Sequence, residues 1–148
     1  MVATAVGASG ASAQRVAITE LQAGGSGVIA THDFWGGEVG IARRPGGQLR
    51  QVVTVALGDA AGALGVRVRA AAQFVLKPGV SRGTSPYAGV GLAFAAARGA
   101  RGAGYLAVMA GWEAAPARVR GWYVELGFEG GARVAAGVRW RRFGTRRT

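Results

Sequence analysis

Long runs of strict alternation between apolar residues and small or charged ones predict an all-β fold, an up-and-down antiparallel eight-stranded transmembrane β-barrel. Two further observations point the same way. The runs are separated by short connections rich in glycine, proline and aspartate, and three of the four tryptophans fall at run ends that would share one rim of such a barrel.

The clearest unit is residues 118–143, RVRGWYVELGFEGGARVAAGVRWRRF. Alternation on either side of Glu129-Gly130-Gly131 predicts a β-hairpin. Trp122, Val124, Leu126 and Phe128 share one face of its first strand, and Val134, Ala136, Val138 and Trp140 share one face of its second. The opposite faces carry Tyr123 and Glu125, then Arg133, Arg139 and Arg141, interleaved with glycine and alanine. A strand has a period of two, so each run has one wholly apolar side and one that mixes charge with small residues.

The preceding runs follow the same plan. Residues 15–24 form a first strand of ambiguous parity, and GGSGVIATHD, 24–33, reads as a loop or as that strand's extension. The second run sets Trp35, Val39 and Ile41 against Glu38, Gly40 and Ala42, and ends at Pro45-Gly46-Gly47. In the third, Leu49, Val53, Val55 and Leu57 oppose Arg50, Val52 and Thr54. The fourth alternates from Leu64 to Leu76, with Arg67, Arg69 and Gln73 on the polar side and Phe74 near its end. That is longer than the ~5 to 6 residues of an ordinary strand and fits the ~9 to 11 of a tilted membrane-spanning one with a short overhang. The fifth run opposes Val90, Leu92 and Phe94 to Tyr87, Gly89 and Gly91, and the sixth opposes Leu106, Val108 and Trp112 to Tyr105, Met109 and Glu113.

Composition excludes several classes. The chain has no cysteine, so disulfides and thiolate metal sites are ruled out. Its 27 glycines show no G-X-Y period and proline is scarce, which excludes collagen and does not suit a disordered linker. No apolar run approaches the ~20 residues of a membrane helix, so a chain that spans a bilayer here does so as a closed barrel. The formal charge of +11 is almost wholly arginine, Lys77 being the only lysine. These arginines alternate with apolar residues inside strands instead of forming the contiguous patch with stacking aromatics that nucleic-acid binding requires, so no nucleic-acid partner is expected. Arg141, Arg142, Arg146 and Arg147 form the one real cluster and read as a solvated basic end, with 144–148 as a basic tail. Residues 1–13 end in Ala11-Ser12-Ala13 and read as the remnant of an export signal or a flexible tail, leaving 14–143 as the barrel.

Alternation alone does not say which face is outside. A soluble barrel holding an apolar ligand would show the same pattern inverted. Tryptophan placement favours lipid outside. Trp112, Trp122 and Trp140 on the apolar face, joined by Phe74, would ring one membrane interface, and Trp35 and Phe128 the other. The opposite face then lines a narrow lumen, where Glu38, Arg50, Arg67, Arg69, Glu113, Tyr123, Glu125 and Arg139 form a charge network among small residues.

On these residues the chain resembles the small eight-stranded outer-membrane β-barrel proteins of Gram-negative-type bacteria, of the OmpX, OmpW and OmpA-barrel kind. The resemblance covers about residues 14–143 and lies in pattern. It implies location in the cell outer membrane, contact with outer-membrane lipid, and use of the barrel-assembly machinery. Trp140 and Phe143 look like the aromatic terminal-strand signal read by that machinery, although Arg141 stands where the family usually has an aromatic or apolar residue, and GTRRT follows Phe143.

No catalytic residue, cofactor or metal is expected. His32 is the only histidine, so a histidine-rich metal site is impossible. With Asp33 and Ser26 it gives a lower-ranked reading, a lipid-modifying barrel enzyme, which requires the three side chains to come within mutual reach. The expected function is a monomeric, non-enzymatic outer-membrane barrel, structural or narrowly conducting, with a lumen filled by side chains.

Overall fold

The β-branched and aromatic residues that dominate the outward positions favour the pleated backbone, and the alternation fixes which side of each strand meets the interior. The computed structural model describes residues 17–144. Its strands are β1 Ile18–Ile29, β2 Phe34–Gly46, β3 Leu49–Ala60, β4 Ala63–Val75, β5 Thr84–Ala97, β6 Ala103–Ala114, β7 Arg120–Phe128 and β8 Ala132–Phe143. They form a closed barrel in chain order. Every neighbouring pair is antiparallel, and β1 meets β8 along its whole length, from Ile18 opposite Phe143 to Ile29 opposite Ala132. Closure leaves no sheet edge for another chain to pair with.

We call the end carrying Ile18 and Phe143 the terminal rim and the opposite end the distal rim. The distal connections are short: 30–33, 61–62, 98–102 and 129–131. Aspartates cap two of them, the Ala30 N–H donating to Asp33 Oδ1 at 3.0 Å and the Gly62 N–H to Asp59 Oδ2 at 3.0 Å. At the terminal rim the connection 76–83 is the longest in the barrel.

Residues 24–29 extend β1, which settles the ambiguous first run. Parity is blurred there because outward Gly27 is covered: a Cβ on it would lie 2.3 Å from the Trp35 ring packed over it. The run closed by GDAAG is also longer than its turn residues suggest, since β3 continues through Ala60 and only Ala61-Gly62 make the turn, both at positive φ.

The outward face is predominantly apolar on every strand. Leu21, Ile41, Val53, Leu64, Leu92, Leu106 and Leu126 are each about half or more exposed. The barrel thus carries a continuous belt of exposed aliphatic and aromatic side chains, far beyond the scattered apolar residues of an ordinary soluble surface. Small residues, among them Ala42, Ala56, Ala71, Ala93, Ala107 and Ala135, alternate on the inward face with large polar ones. An apolar interior for a soluble ligand is therefore not what this chain builds. Eight strands enclose a space just wide enough for side chains, and alanine beside arginine lets long guanidinium stems cross it.

An outward charge on this wall should act through lipid rather than packing. Leu106→Arg is expected to cost about 2–4 kcal/mol near the bilayer middle. Refolding into lipid vesicles, scored by the gel-mobility difference between boiled and unboiled samples, should show a clear loss of folded barrel; unchanged yield would mean that this face does not meet hydrocarbon.

Candidate functional site

The interior is a polar core with two charge centres. All five glutamates of the chain point into it: Glu20 from β1, Glu38 from β2, Glu113 from β6, Glu125 from β7, and Glu129 from the turn after β7. Seven arginines face them, Arg44, Arg50, Arg67, Arg69, Arg133, Arg139 and Arg141.

Glu113 organises the centre nearer the terminal rim. Its Oε2 accepts from Arg50 Nη1 at 2.9 Å, Arg139 Nη1 at 2.9 Å and Arg141 Nη2 at 2.6 Å. Glu20 shares two of these partners, with Arg50 Nη1 at 3.2 Å and Arg141 Nε at 3.5 Å, and adds Arg44 Nη2 at 3.3 Å. Arg44 also donates to the Pro116 carbonyl at 3.2 Å, and Arg141 to the carbonyls of Ala115 and Arg118 at 3.3 Å each. The β6–β7 turn, 115–119, is thereby tied to the charged core at the terminal mouth, with Pro116 buried.

Glu125 organises the second centre. It accepts from Arg69 Nη1 at 2.6 Å and from Arg133 Nη1, while Arg133 Nη2 reaches Glu38 Oε2 at 2.5 Å. Glu129 sits above them, accepting from Arg67 Nε at 3.2 Å, with Arg67 also bonding the Glu129 carbonyl at 2.8 Å.

Three neutral side chains join the centres. Gln73 accepts from Arg50 Nε at 3.0 Å and donates to Glu125 Oε2 at 3.1 Å. The Tyr87 hydroxyl donates to Glu125 Oε2 at 3.0 Å and accepts from Arg139 Nη2 at 3.3 Å. Gln22 accepts from Arg139 Nε at 3.2 Å and donates to Glu38 Oε1 at 3.4 Å. Arg139 lies between two aromatic faces, 4.4 Å from the Tyr123 centroid and 4.9 Å from that of Tyr87. Tyr87 fits because Gly111 lies beneath it: a Cβ there would come within 2.8 Å of the ring. The result is one connected web from Pro116 at the terminal mouth to Glu129 at the distal one.

The residues singled out from sequence, Glu38, Arg50, Arg67, Arg69, Glu113, Tyr123, Glu125 and Arg139, all lie in this interior. Glu113 and Glu125 belong to different centres, each with its own arginines. Tyr123 joins through its ring, its hydroxyl having no hydrogen-bond partner among the described residues. Arg141 is a correction. It is not part of a solvated basic end but almost fully buried and bonded to Glu113, because strand parity carries it inward while Arg142 stays exposed. Arg146 and Arg147, and the segments 1–13 and 145–148, lie outside the described residues. Glu20, Gln22, Arg44, Gln73, Tyr87, Glu129 and Arg133 complete the network, and the inward parity of their strands is the signal that could have added them to it.

On the outer wall, Trp112, Trp122, Trp140 and Phe74 are exposed at the terminal rim, and Trp35 and Phe128 at the distal rim. Phe143 pairs with Ile18 at the end of β8, three positions after Trp140 and so of opposite parity. His32 is exposed in the first distal turn, Asp33 caps that turn, and Ser26 is buried in β1. The cleft of about 130 Å³ that His32 borders is lined by neither serine nor carboxylate. Among the described residues there is no group of acidic or histidine side chains able to hold a metal ion.

Comparison with solved structures agrees with this architecture. The N-terminal β-barrel domain of Pseudomonas aeruginosa OprF superposes with a TM-score of 0.67 at 19% identity, covering 84% of this chain and 97% of that one. The fold is that of the small eight-stranded outer-membrane barrels. Neisserial surface protein A (NspA) matches with a TM-score of 0.59 at 14% identity, over 84% of this chain and 96% of that one. No family model matches the sequence, and no curated protein matches it.

Removing one carboxylate from the lumen should be severe. Glu113→Gln preserves shape but leaves Arg50, Arg139 and Arg141 without the negative charge they share and turns an NH2 donor toward them, and breaking a buried pair this way typically costs about 3–5 kcal/mol. Urea unfolding in detergent micelles should show the midpoint falling markedly; a midpoint within error of wild type would mean that water already solvates these guanidinium groups.

Proposed function

We propose that the chain is a monomeric, non-enzymatic barrel of the outer membrane, spanning it with β1–β8 and closed to solutes by its interior web. The single observation that carries the reading is the pairing of an apolar outer wall with a lumen crossed by connected arginines and glutamates. A belt of exposed aliphatic residues needs hydrocarbon around it. A lumen bridged from wall to wall has no continuous path for ions unless the web rearranges, so its part is structural and any conductance is small.

The terminal rim faces the periplasm in this reading, and the distal rim faces outward. The distal turns are too short to build a receptor or adhesin surface. Outer-membrane lipid surrounds the wall, and the aromatic residues at the two rims sit at headgroup level, where the indole is favourable. The barrel-assembly machinery is the biogenesis partner, with Trp140 and Phe143 of β8 as the residues it reads. No enzymatic role is assigned: buried Ser26, exposed His32 and turn-capping Asp33 do not form a catalytic set.

Two measurements test this. The chain expressed behind a complete export signal should stay in the outer-membrane pellet after a carbonate wash and shift in gel mobility on boiling; release as soluble protein would overturn the membrane assignment. Reconstituted in planar bilayers, it should give no sustained steps of the size of an open porin. Such steps from the wild type would overturn the closed lumen.

A further inference from the structure

The excess positive charge is segregated. Five of the seven acidic residues are sealed in the lumen, and the other two cap distal turns, Asp33 from within its turn and Asp59 from the end of β3. Exposed Arg98 and Arg101 balance those two at the distal rim. At the terminal rim Arg43, Lys77, Arg82, Arg118, Arg120 and Arg142 are exposed with no acidic residue beside them. The cations at this end must therefore find their counter-charge outside the chain.

Three of them lie on the wall itself, not on the rim facing water: Arg120, which stands over the Trp140 ring, and the pair Arg43 and Arg142. Arg142 of β8 and Arg43 of β2 are both cross-strand partners of Thr19 on β1, and Arg43 in turn pairs with Gln51 on β3. Arg142, Thr19, Arg43 and Gln51 make a polar row across four strands, with Trp140 two positions before Arg142 on the same face of β8. Neither arginine has a carboxylate within ion-pair distance among the described residues, and every carboxylate side chain of the protein is accounted for elsewhere. Next to this row is an apolar groove of about 980 Å³, into which Ile41, Val53, Ala70, Ala72 and Leu92 project together with both arginines. Small outward side chains at Ala70 and Ala72 create its depth.

We infer that this flank is a binding site for an anionic phospholipid, with the headgroup phosphate held by Arg43 and Arg142 and an acyl chain lying in the groove. The inference rests on the membrane-spanning reading above. Charge complementarity selects the occupant: guanidinium groups match phosphate geometry, and each basic residue near an anionic surface strengthens binding to it. A free anion would leave the groove empty, and a second copy of this chain would bring two further uncompensated arginines to the same place. Nucleic acid has no use for an aliphatic groove.

The test is native mass spectrometry of the protein refolded in zwitterionic micelles, with phosphatidylglycerol or phosphatidylcholine added at equal concentration. The gel-mobility shift on boiling is read first, since a chain that does not fold in micelles or vesicles overturns the membrane reading itself. With folding intact, wild type should retain phosphatidylglycerol adducts in preference to phosphatidylcholine. R43Q/R142Q should lose that preference by roughly 10- to 30-fold, whereas R98Q/R101Q at the distal rim should keep it. Ala72→Phe, which fills the groove and spares both arginines, should also weaken retention. Equal retention of the two lipids, an unchanged preference in R43Q/R142Q, displacement by equimolar inorganic phosphate, or a doubled mass in place of lipid adducts would each overturn the lipid site while leaving the barrel standing.

Discussion

Five carboxylates sealed inside an eight-stranded barrel are the constraint on which the rest depends. Taking an ionised carboxylate out of water is too costly unless cations and hydrogen-bond donors surround it. The interior is too narrow to admit bulk water as the alternative. Every inward strand face must therefore deliver either a guanidinium group or room for one. The inward faces do this by alternating arginine, glutamine and tyrosine with alanine and glycine. Glycine at 111 leaves room for the Tyr87 ring and the Val124 carbonyl, and Tyr87 is one of the three side chains that bridge the two charge centres. A network of this kind is weak evidence for stability, since ion pairs of this burial often do no better than a well-packed apolar core. Its effect is to fix register: arginines on β3, β8 and the end of β2 meet glutamates on β1 and β6 only when all these strands are correctly staggered.

The same constraint separates the two sides of every strand. With charge obliged to go inward, the outward positions are free to be apolar, and they are, apart from the row at Arg142, Thr19, Arg43 and Gln51, from Arg120 beside Trp140, and from Asp59 and Thr84 at strand ends. An arginine stacked near a tryptophan at a rim is accommodated by the ring and by headgroup water. Among the described residues neither Arg43 nor Arg142 has a ring stacked under its guanidinium group, unlike Arg120.

Much of the architecture is legible in the sequence because a period of two assigns each residue to a face without knowledge of its neighbours. That is why the sides of Leu64 to Leu76 and of Trp122 to Phe128 follow directly from their order. Height along the barrel is a different matter. Which glutamate meets which arginine depends on the stagger between strands, a property of closure that no single strand carries. Glu113 with Arg50, 63 positions apart, is therefore not derivable from spacing. β1 hides Glu20 and Gln22 for a local reason: apolar Ile18 and Val28 share their parity and polar Thr19 has the opposite one, so neither side of the strand reads as wholly apolar. Arg141 has two readings in the sequence, the charged face of the last strand by parity and a basic tail by its company of four arginines near a chain end, and strand pairing out to Phe143 decides for the first.

The formal charge of +11 has an equally structural meaning once it is divided by location. Seven arginines against five glutamates leave the lumen with only a small excess, and the distal rim is balanced. The imbalance resides at the terminal rim and in the segments that adjoin it in sequence, which carry Arg15, Arg146 and Arg147. Basic residues spread at random would put some of that charge at the distal turns, where Arg98 and Arg101 are matched by Asp33 and Asp59. The long connection 76–83 and the turn 115–119 both lie at the charged end, and each adds exposed cations to it. The barrel is therefore polar along its axis in chemistry as well as in chain direction. An asymmetric field of this kind gives the molecule a preferred orientation toward an anionic leaflet before any specific contact forms.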